Sequence, residues 1–179
     1  MKHEAYKVLF AREEIAARVK AVAGEITRDY TGKKLLAVCI LRGAVIFTAD
    51  LIRELDLDVS LDFISVSSYG AGTTSSGEVR VLHDLKEPIE GRDVLIIEDI
   101  IDTGLTLSYL REILLARKPA SLKIAALLDK PDRRRTDINA DYIGFCIPDD
   151  FVVGYGLDFD QRFRHLPDIC VPLNAEKKK

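Results

Sequence analysis

Apolar residues recur at helical spacing through residues 10–30, at Ile15, Val19, Val22 and Ile26, and the pattern stops at Tyr30-Thr31-Gly32. That period predicts an amphipathic helix closed by Gly32. Residues Leu35 to Leu41 are apolar without interruption, the pattern of a strand buried on both faces. The run breaks at Arg42-Gly43, and a second helical period extends from Ala44 to Leu55. From Val59 to Ser67 the chain reads as a strand, with Val59, Leu61 and Phe63 alternating and Ile64 and Val66 shifting phase. Tyr69 to Gly77 is small, polar and glycine-rich, so a mobile loop is expected, followed by a short return strand at Val79–Leu82. A third buried run at Val94–Ile97 precedes a helical period from Thr103 to Arg117, and further strands are expected at Leu122–Leu128 and Tyr142–Ile147. Strands alternating with helices imply βαβ crossovers. The expected fold is a single α/β domain over residues 1–179: a mostly parallel, twisted sheet with helices on both faces.

Composition narrows the function classes. A chain of 179 residues suits one domain with one sizeable core, and 47% apolar with 31% charged residues lies outside the disordered class. A net charge of −3 carries no basic footprint, so no nucleic-acid partner is expected. The longest apolar stretch, Leu35–Leu41, is too short to cross a bilayer, so no membrane association is expected. Met1-Lys2-His3-Glu4 leads into no apolar segment, and no secretory leader is expected. Cys39, Cys146 and Cys170 are scattered among Val, Ile and Phe without metal or disulfide spacing, which favours reduced core cysteines in a cytoplasmic protein. His83 and His165 read as structural, and Lys177-Lys178-Lys179 as a frayed tail.

In open α/β sheets, ligands bind beyond the carboxyl ends of the strands. Here those ends supply Arg42-Gly43, then Ser68-Tyr69 with its glycine loop, then Glu98 to Thr106, then Asp129-Lys130. The third is the most informative. Directly after a buried run come two adjacent carboxylates, Glu98 and Asp99, then Asp102, then Thr103-Gly104-Leu105-Thr106 opening a helix. A helix start offers unpaired N–H groups and a positive dipole end, and the threonines add hydroxyl donors, so the turn suits a phosphate monoester. Gly104 lets the backbone approach the phosphate oxygens. The acids just upstream would repel a bare anion. They suit a sugar diol or a hard cation such as Mg²⁺.

Val94 to Thr106 resembles the ribose-phosphate signature of type I phosphoribosyltransferases, and the resemblance extends over nearly the whole chain to the hypoxanthine-guanine branch of that family. It implies the family's fold, with a small purine-binding hood built from the N-terminal segment and roughly residues 130–179. Leu41-Arg42-Gly43 is similar to the pyrophosphate loop, where the family often has a cis peptide before the basic residue. Ser68-Tyr69 is similar to the catalytic lid. Leu127 to Pro131, with Ile147 to Asp158, is similar to the hood. By that resemblance Glu98 and Asp99 bind the ribose hydroxyls and Mg²⁺, Asp158 contributes near a second ion, and residues Asp102, Thr103, Gly104, Leu105 and Thr106 cradle the 5-phosphate. Asp102 is the general base on the purine ring. Arg42, Gly43 and Arg164 hold pyrophosphate, and Lys130, Phe151, Val152 and Asp158 hold the purine. The substrates implied are 5-phosphoribosyl-1-pyrophosphate and a 6-oxopurine, hypoxanthine or guanine, in purine salvage, and the assembly implied is a homodimer or homotetramer. Two departures stand out: Arg42 replaces the frequent Lys, and Leu105 replaces the Lys of animal enzymes.

The chemistry of the residues agrees. Displacing pyrophosphate at the anomeric carbon needs a stabilised leaving group and a deprotonated base nitrogen; guanidinium and a metal serve the first and a carboxylate the second. A Ser/Tyr/Gly lid suits the exclusion of water. An ammonium only donates, so Lys130 suits O6 of a 6-oxopurine and not the amino group of adenine. Phe151 offers a flat face for stacking. Without the resemblance, Lys130 reads as a solvated loop lysine, Phe151 as a core aromatic, and Arg133-Arg134-Arg135 as a solvated loop whose other role is a subunit contact or pyrophosphate binding. Two other readings stay open: a xanthine-preferring enzyme of the same family, and an RNA-binding regulator on this fold. The absence of a G-x-x-x-x-G-K-[ST] string disfavours a phosphate-loop kinase or nucleotidase.

Overall fold

A computed structural model describes residues 6–68 and 79–173. Long apolar runs became central strands and the 3.6-residue periods became helices. In chain order the elements are β1 (Tyr6–Phe10), α1 (Arg12–Asp29), β2 (Lys34–Leu41), α2 (Val45–Glu54), β3 (Asp58–Ser68), β4 (Val79–His83), β5 (Asp93–Ile101), α3 (Leu105–Leu115), β6 (Ser121–Asp129), β7 (Tyr142–Cys146) and β8 (Ile169–Pro172). Six strands form one sheet in the order β4-β3-β2-β5-β6-β7, parallel except for the antiparallel edge strand β4.

The helices pack on both faces. Ile15, Val19, Val22 and Ile26 of α1 join Phe47 and Leu51 of α2 against one face, on Leu35, Ala37, Leu95 and Ile97. Leu107, Leu110 and Leu114 of α3 cover the other, on Val38, Ile64, Ile96 and Ala126. Each such fully buried aliphatic side chain contributes about 1.5–3 kcal/mol. Because β2 and β5 are buried on both sides, every position of their central segments is apolar, which is why their runs show no alternation. Acids in the first turn of α1 (Glu13, Glu14) and Arg28 in its last turn complement the helix dipole.

The structure departs from the sequence expectations in three places. β1 and β8, which the periodicity did not announce, pair antiparallel as a separate two-stranded sheet, with Tyr6 opposite Pro172. Cys146 is exposed at the end of β7, whereas Cys39 and Cys170 are buried, so only two of the three are core cysteines. In β3 the buried phase belongs to Ile64, and Leu61 is left 40% exposed.

What matters for function is the alignment of strand ends. Ile101 of β5 pairs with Asp129 of β6, and Leu41 of β2 with Ser65 of β3. The parallel register therefore delivers the residues after β2, β5 and β6 to one rim of the sheet.

Candidate active site

At the centre of that rim, Glu98 and Asp99 project from the carboxyl-terminal half of β5. Glu98 Oε2 is sealed from solvent and has no hydrogen-bond partner among the described residues. Burial, with the neighbouring Asp99 charge adding to it, raises the Glu98 carboxyl well above the usual range. Burial also pushes Asp99 up to about 6, opposed by backbone N–H groups and the Arg164 charge and assisted by Asp158. In such a pair, removing the proton from either carboxyl makes the other harder to ionise. Gly43 stands directly against this pair: a Cβ there would overlap Asp99 Oδ2. Glycine is the one residue that lets the β2–α2 loop lie on the Asp99 carboxylate. The Leu41–Arg42 peptide bond immediately before it is cis.

Beyond Asp99 the chain turns into α3. Gly104 caps that helix at φ 79, left-handed, with a Cβ position filled by Ile138 Cγ2 and crowded by Thr136 Oγ1 at 2.6 Å. No acid lies in the first turn of α3, and Leu105 is 51% exposed, so the helix start is open to an anion. A cleft at this point is lined by Glu98, Asp102, Thr103, Gly104 and Thr106 together with Ile40 and Leu41. Thr136 Oγ1, buried beside the cap, has no hydrogen-bond partner among the described residues.

The run Arg133-Arg134-Arg135 after β6 lies against the same turn; Arg133 and Arg135 are exposed, as a solvated loop implies, and the expectation fails at Arg134. Arg134 is largely buried. Its Nη1 donates to the Asp102 carbonyl at 3.0 Å and its Nη2 to the buried Asp129 carboxylate, so it struts the end of β5 against the end of β6. The Arg135 N–H donates to the Thr103 carbonyl at 2.9 Å. Arg133 Nε lies 2.6 Å from Asp102 Oδ1, a charge contact outside hydrogen-bond alignment, since that oxygen otherwise has no aligned donor. Lys130 is only 7% exposed, 3.8 Å from Asp149 Oδ1, and Phe151 is 46% exposed. The composition-based defaults for both are therefore reversed: the lysine is inside and the aromatic outside. Strand-end placement explains the first, since the Lys130 N–H bonds the Ile101 carbonyl at 2.9 Å and continues the sheet edge.

The remaining side comes from the segment after β7. Phe151 meets Phe159 edge to face at 5.5 Å, and Val152 is buried. Asp158 Oδ1 pairs with Arg164 at 2.7 Å and its Oδ2 accepts the Gln161 N–H at 2.8 Å. The Gln161 side-chain carbonyl accepts from Arg42 Nη1 at 3.0 Å and more weakly from Arg164 Nη2 at 3.5 Å. Arg42 and Arg164, far apart in sequence, thus meet at one oxygen. Tyr155 donates to Asp50 at 2.6 Å; burial first and that carboxylate second push its phenol up, so it stays a donor. Sequence reasoning passed over Gln161, named Arg134 only within a run read as solvated by default, and placed Asp149 in the hood stretch without a role of its own; the signal for all three was position just after strand ends or inside the 147–164 stretch. Among the described residues, no three carboxylate, histidine or cysteine side chains converge to hold a metal, and Asp158 is engaged by Arg164. Ser68 ends β3; Tyr69 and the rest of the expected lid through Gly77 lie outside the described residues, as do Lys177 to Lys179.

Comparison with known proteins follows the same lines. Residues 5–160 match the family described as phosphoribosyl transferase domain. A Bacillus subtilis hypoxanthine-guanine phosphoribosyltransferase is 54% identical over 171 residues, 96% of this chain and 95% of that protein. One from Streptococcus thermophilus is 52% identical over 165 residues, 92% of each chain. The crystal structure of a Staphylococcus aureus hypoxanthine phosphoribosyltransferase superposes with a TM-score of 0.89 at 50% identity, covering 93% of this chain and 90% of that one. These relatives lend nothing to the xanthine-preferring or RNA-binding alternatives.

Proposed function

The chain belongs to the phosphoribosyl transferase family, and from that membership we propose that it transfers the 5-phosphoribosyl group of 5-phosphoribosyl-1-pyrophosphate to a 6-oxopurine, hypoxanthine or guanine, in purine salvage. The products are IMP or GMP and pyrophosphate. One observation carries the reading: a buried acid pair, Glu98 and Asp99, sits just ahead of an acid-free helix start at Gly104. Few ligands need both a diol or cation acceptor and a phosphate cradle at that spacing, and a phosphorylated ribose does.

In this reading the N–H groups of residues 103–106 and the threonine hydroxyls hold the 5-phosphate. Glu98 and Asp99 orient the ribose hydroxyls. Arg42 and Arg164, already gathered on the Gln161 oxygen, offset charge on the departing pyrophosphate, with the Gly43 backbone beside them. Asp102 takes the proton from the purine ring, typically worth about 10²–10⁴-fold. Lys130 donates to O6, Phe151 stacks on the ring, and the Val152 and Asp158 backbone faces its other edge. Ser68 and Tyr69 lead the lid that excludes water. β1 and β8, with the segment after β6, form the hood.

The acid pair fits Mg²⁺. This ion binds proteins through one or two carboxylates and takes its other ligands from substrate oxygens and water, so a protein-only cage of three is not required. The unpartnered Glu98 Oε2 is the observation in favour. Glu98 and Asp99 would hold the ion, with Asp158 near a second; once bound it supplies charge neutralisation at the pyrophosphate oxygens.

No helix of the described residues is long and apolar enough to cross a membrane, and we place the enzyme in the cytoplasm. A homodimer or homotetramer belongs to the same reading, on the strength of the family resemblance. The deciding experiment is release of pyrophosphate from 5-phosphoribosyl-1-pyrophosphate with hypoxanthine, guanine, xanthine and adenine, with and without Mg²⁺. Turnover with hypoxanthine and guanine that depends on the ion supports the reading; no release with any base sinks it.

A further inference from the structure

Residues 154–164 fold over α2, and a side-chain hydrogen bond ties the two: the Tyr155 hydroxyl donates to Asp50 Oδ2 at 2.6 Å. Tyr155 is 7% exposed although its backbone stands at φ 49, a region L side chains rarely adopt. It is held there from one side by the main chain. The Tyr155 N–H donates to the Leu166 carbonyl at 2.8 Å, the Gly156 N–H donates to the Arg164 carbonyl at 3.0 Å, and Arg164 Nη1 returns to the Gly156 carbonyl at 2.7 Å. From the other side, the Tyr155–Asp50 bond is the side-chain tether to α2. Between these supports Gly156 lies flat on the Gly43 carbonyl, so close that a Cβ would overlap it.

The position of this tether matters because of what stands at each end. Asp50 sits on the helix that begins just after Arg42-Gly43. Tyr155 sits three residues before Asp158, which pairs with Arg164. The two arginines come from these two separate segments. We propose that Tyr155 and Asp50 are positioning residues for the pyrophosphate half of the site: their hydrogen bond sets the spacing between the Arg42-Gly43 loop and the Asp158–Arg164 pair. This inference rests on the reading of Arg42, Gly43 and Arg164 as pyrophosphate ligands. Neither Tyr155 nor Asp50 touches substrate. Lys130 is on β6, outside this linkage, so purine recognition at O6 does not depend on it.

The test compares Tyr155→Phe, Asp50→Ala, Asp50→Asn and the double variant Tyr155→Phe/Asp50→Ala by steady-state kinetics and thermal melting. A misplacement near 1 Å can cost about 10²-fold in catalysis, so loss of one tether is expected to raise KM for 5-phosphoribosyl-1-pyrophosphate by about tenfold. KM for hypoxanthine should rise less than KM for 5-phosphoribosyl-1-pyrophosphate, because its O6 donor is elsewhere and only its Asp158 contact lies in the tethered segment. Asp50→Asn keeps an acceptor oxygen and should behave like wild type, while the double variant should be no worse than the worse single one. A lower melting temperature with unchanged KM in Tyr155→Phe, equal rises in both KM values, or additive effects would overturn the proposal. Tyr155→Phe retains the ring and decides the matter alone if Asp50→Ala does not fold. Arg42→Ala is the control: if it leaves KM for 5-phosphoribosyl-1-pyrophosphate unchanged in an active enzyme, the pyrophosphate reading fails, whatever Tyr155 does.

Discussion

Arg133 Nε lies 2.6 Å from Asp102 Oδ1, and the same guanidinium reaches both oxygens of Asp149 at 3.1 Å through Nη1. The residue assigned as general base therefore carries a cation against its carboxylate. Both side chains are about 40% exposed, and such pairs are worth roughly 0.2–1 kcal/mol. A purine nitrogen reaching Asp102 has to displace that contact. Arg133→Ala is expected to lower KM for hypoxanthine by about two- to fivefold, the equivalent of that energy, with kcat little changed. A rise in KM would mean that Arg133 supports the bound purine instead of competing with it.

Asp102 itself offers a cleaner substitution than most active-site acids. Its structural contact, with Arg134, is made by the main-chain carbonyl at 3.0 Å and survives any side-chain change. Asp102→Asn is expected to lower kcat by about 10²–10⁴-fold, the range of general-base catalysis, with an unchanged melting temperature. Near-normal turnover by the folded variant would remove Asp102 from that role.

The acid pair makes the ligand-free protein pH-sensitive in a definite direction. Burial raises Asp99 to about 6 and Glu98 well above its usual range, while the unfolded chain titrates both near ordinary values. Across that interval the native state binds more protons than the unfolded state, so stability falls as pH rises through about 6 and continues to fall as Glu98 ionises. Glu98→Gln should raise the melting temperature at pH 8 and change it least near pH 4.5, measured with chelator present. An equal shift at both pH values would show that burial of this carboxylate is not what destabilises the apo protein.

At Gly104 both strain and space oppose a side chain. The residue stands at φ 79, and a Cβ would overlap Ile138 and crowd Thr136. The left-handed conformation costs a non-glycine residue roughly 1–2 kcal/mol, and overpacking adds about 1–3. Gly104→Ala is expected to lower the melting temperature by roughly 10 °C for a domain of this size. It should also weaken 5-phosphoribosyl-1-pyrophosphate binding, because the cap moves with the helix start. Normal stability would mean that the 134–138 segment yields easily.

Most of the parallel sheet was legible because Leu35–Leu41 and Val94–Ile97 are continuous apolar runs, a pattern that burial on both faces requires. The small sheet was not. β1 and β8 have five and four residues, too few for a period, and they pair across Tyr6 and Pro172, a separation no local pattern encodes. Within the site, Glu98 to Thr106 announced itself because strand end, acids and helix start are contiguous. Arg134 did not, since a buried guanidinium in Arg-Arg-Arg looks like a solvated run until Asp129 and the Asp102 carbonyl are seen beside it. Phe151 reads as a core aromatic from residue type alone, yet it is 46% exposed; a lone aromatic in sequence carries no sign of whether its face is covered.

In the proposed reading, base selection turns on Lys130. It is 7% exposed at the end of β6, and its nearest acid is Asp149 at 3.8 Å, too loose a contact to satisfy an ammonium with three donors. A buried donor with spare capacity, one strand from Asp102, suits the O6 carbonyl of a purine whose ring nitrogen faces that acid. Adenine would set an amino donor against it and leave both groups unpaired. Sites built around a substrate hydrogen bond reject such analogues by roughly 10⁴–10⁵-fold, far more than a size mismatch in an apolar pocket achieves. The wild-type enzyme is therefore expected to use hypoxanthine and guanine and to discriminate against adenine on that scale. In Lys130→Gln the amide can both donate and accept, so kcat/KM for hypoxanthine should fall while the gap to adenine narrows. The measurement is kcat/KM for the three bases in both proteins. Wild-type use of adenine within about tenfold of hypoxanthine, or an unchanged preference in Lys130→Gln, would remove Lys130 from base recognition and the preference for 6-oxopurines with it.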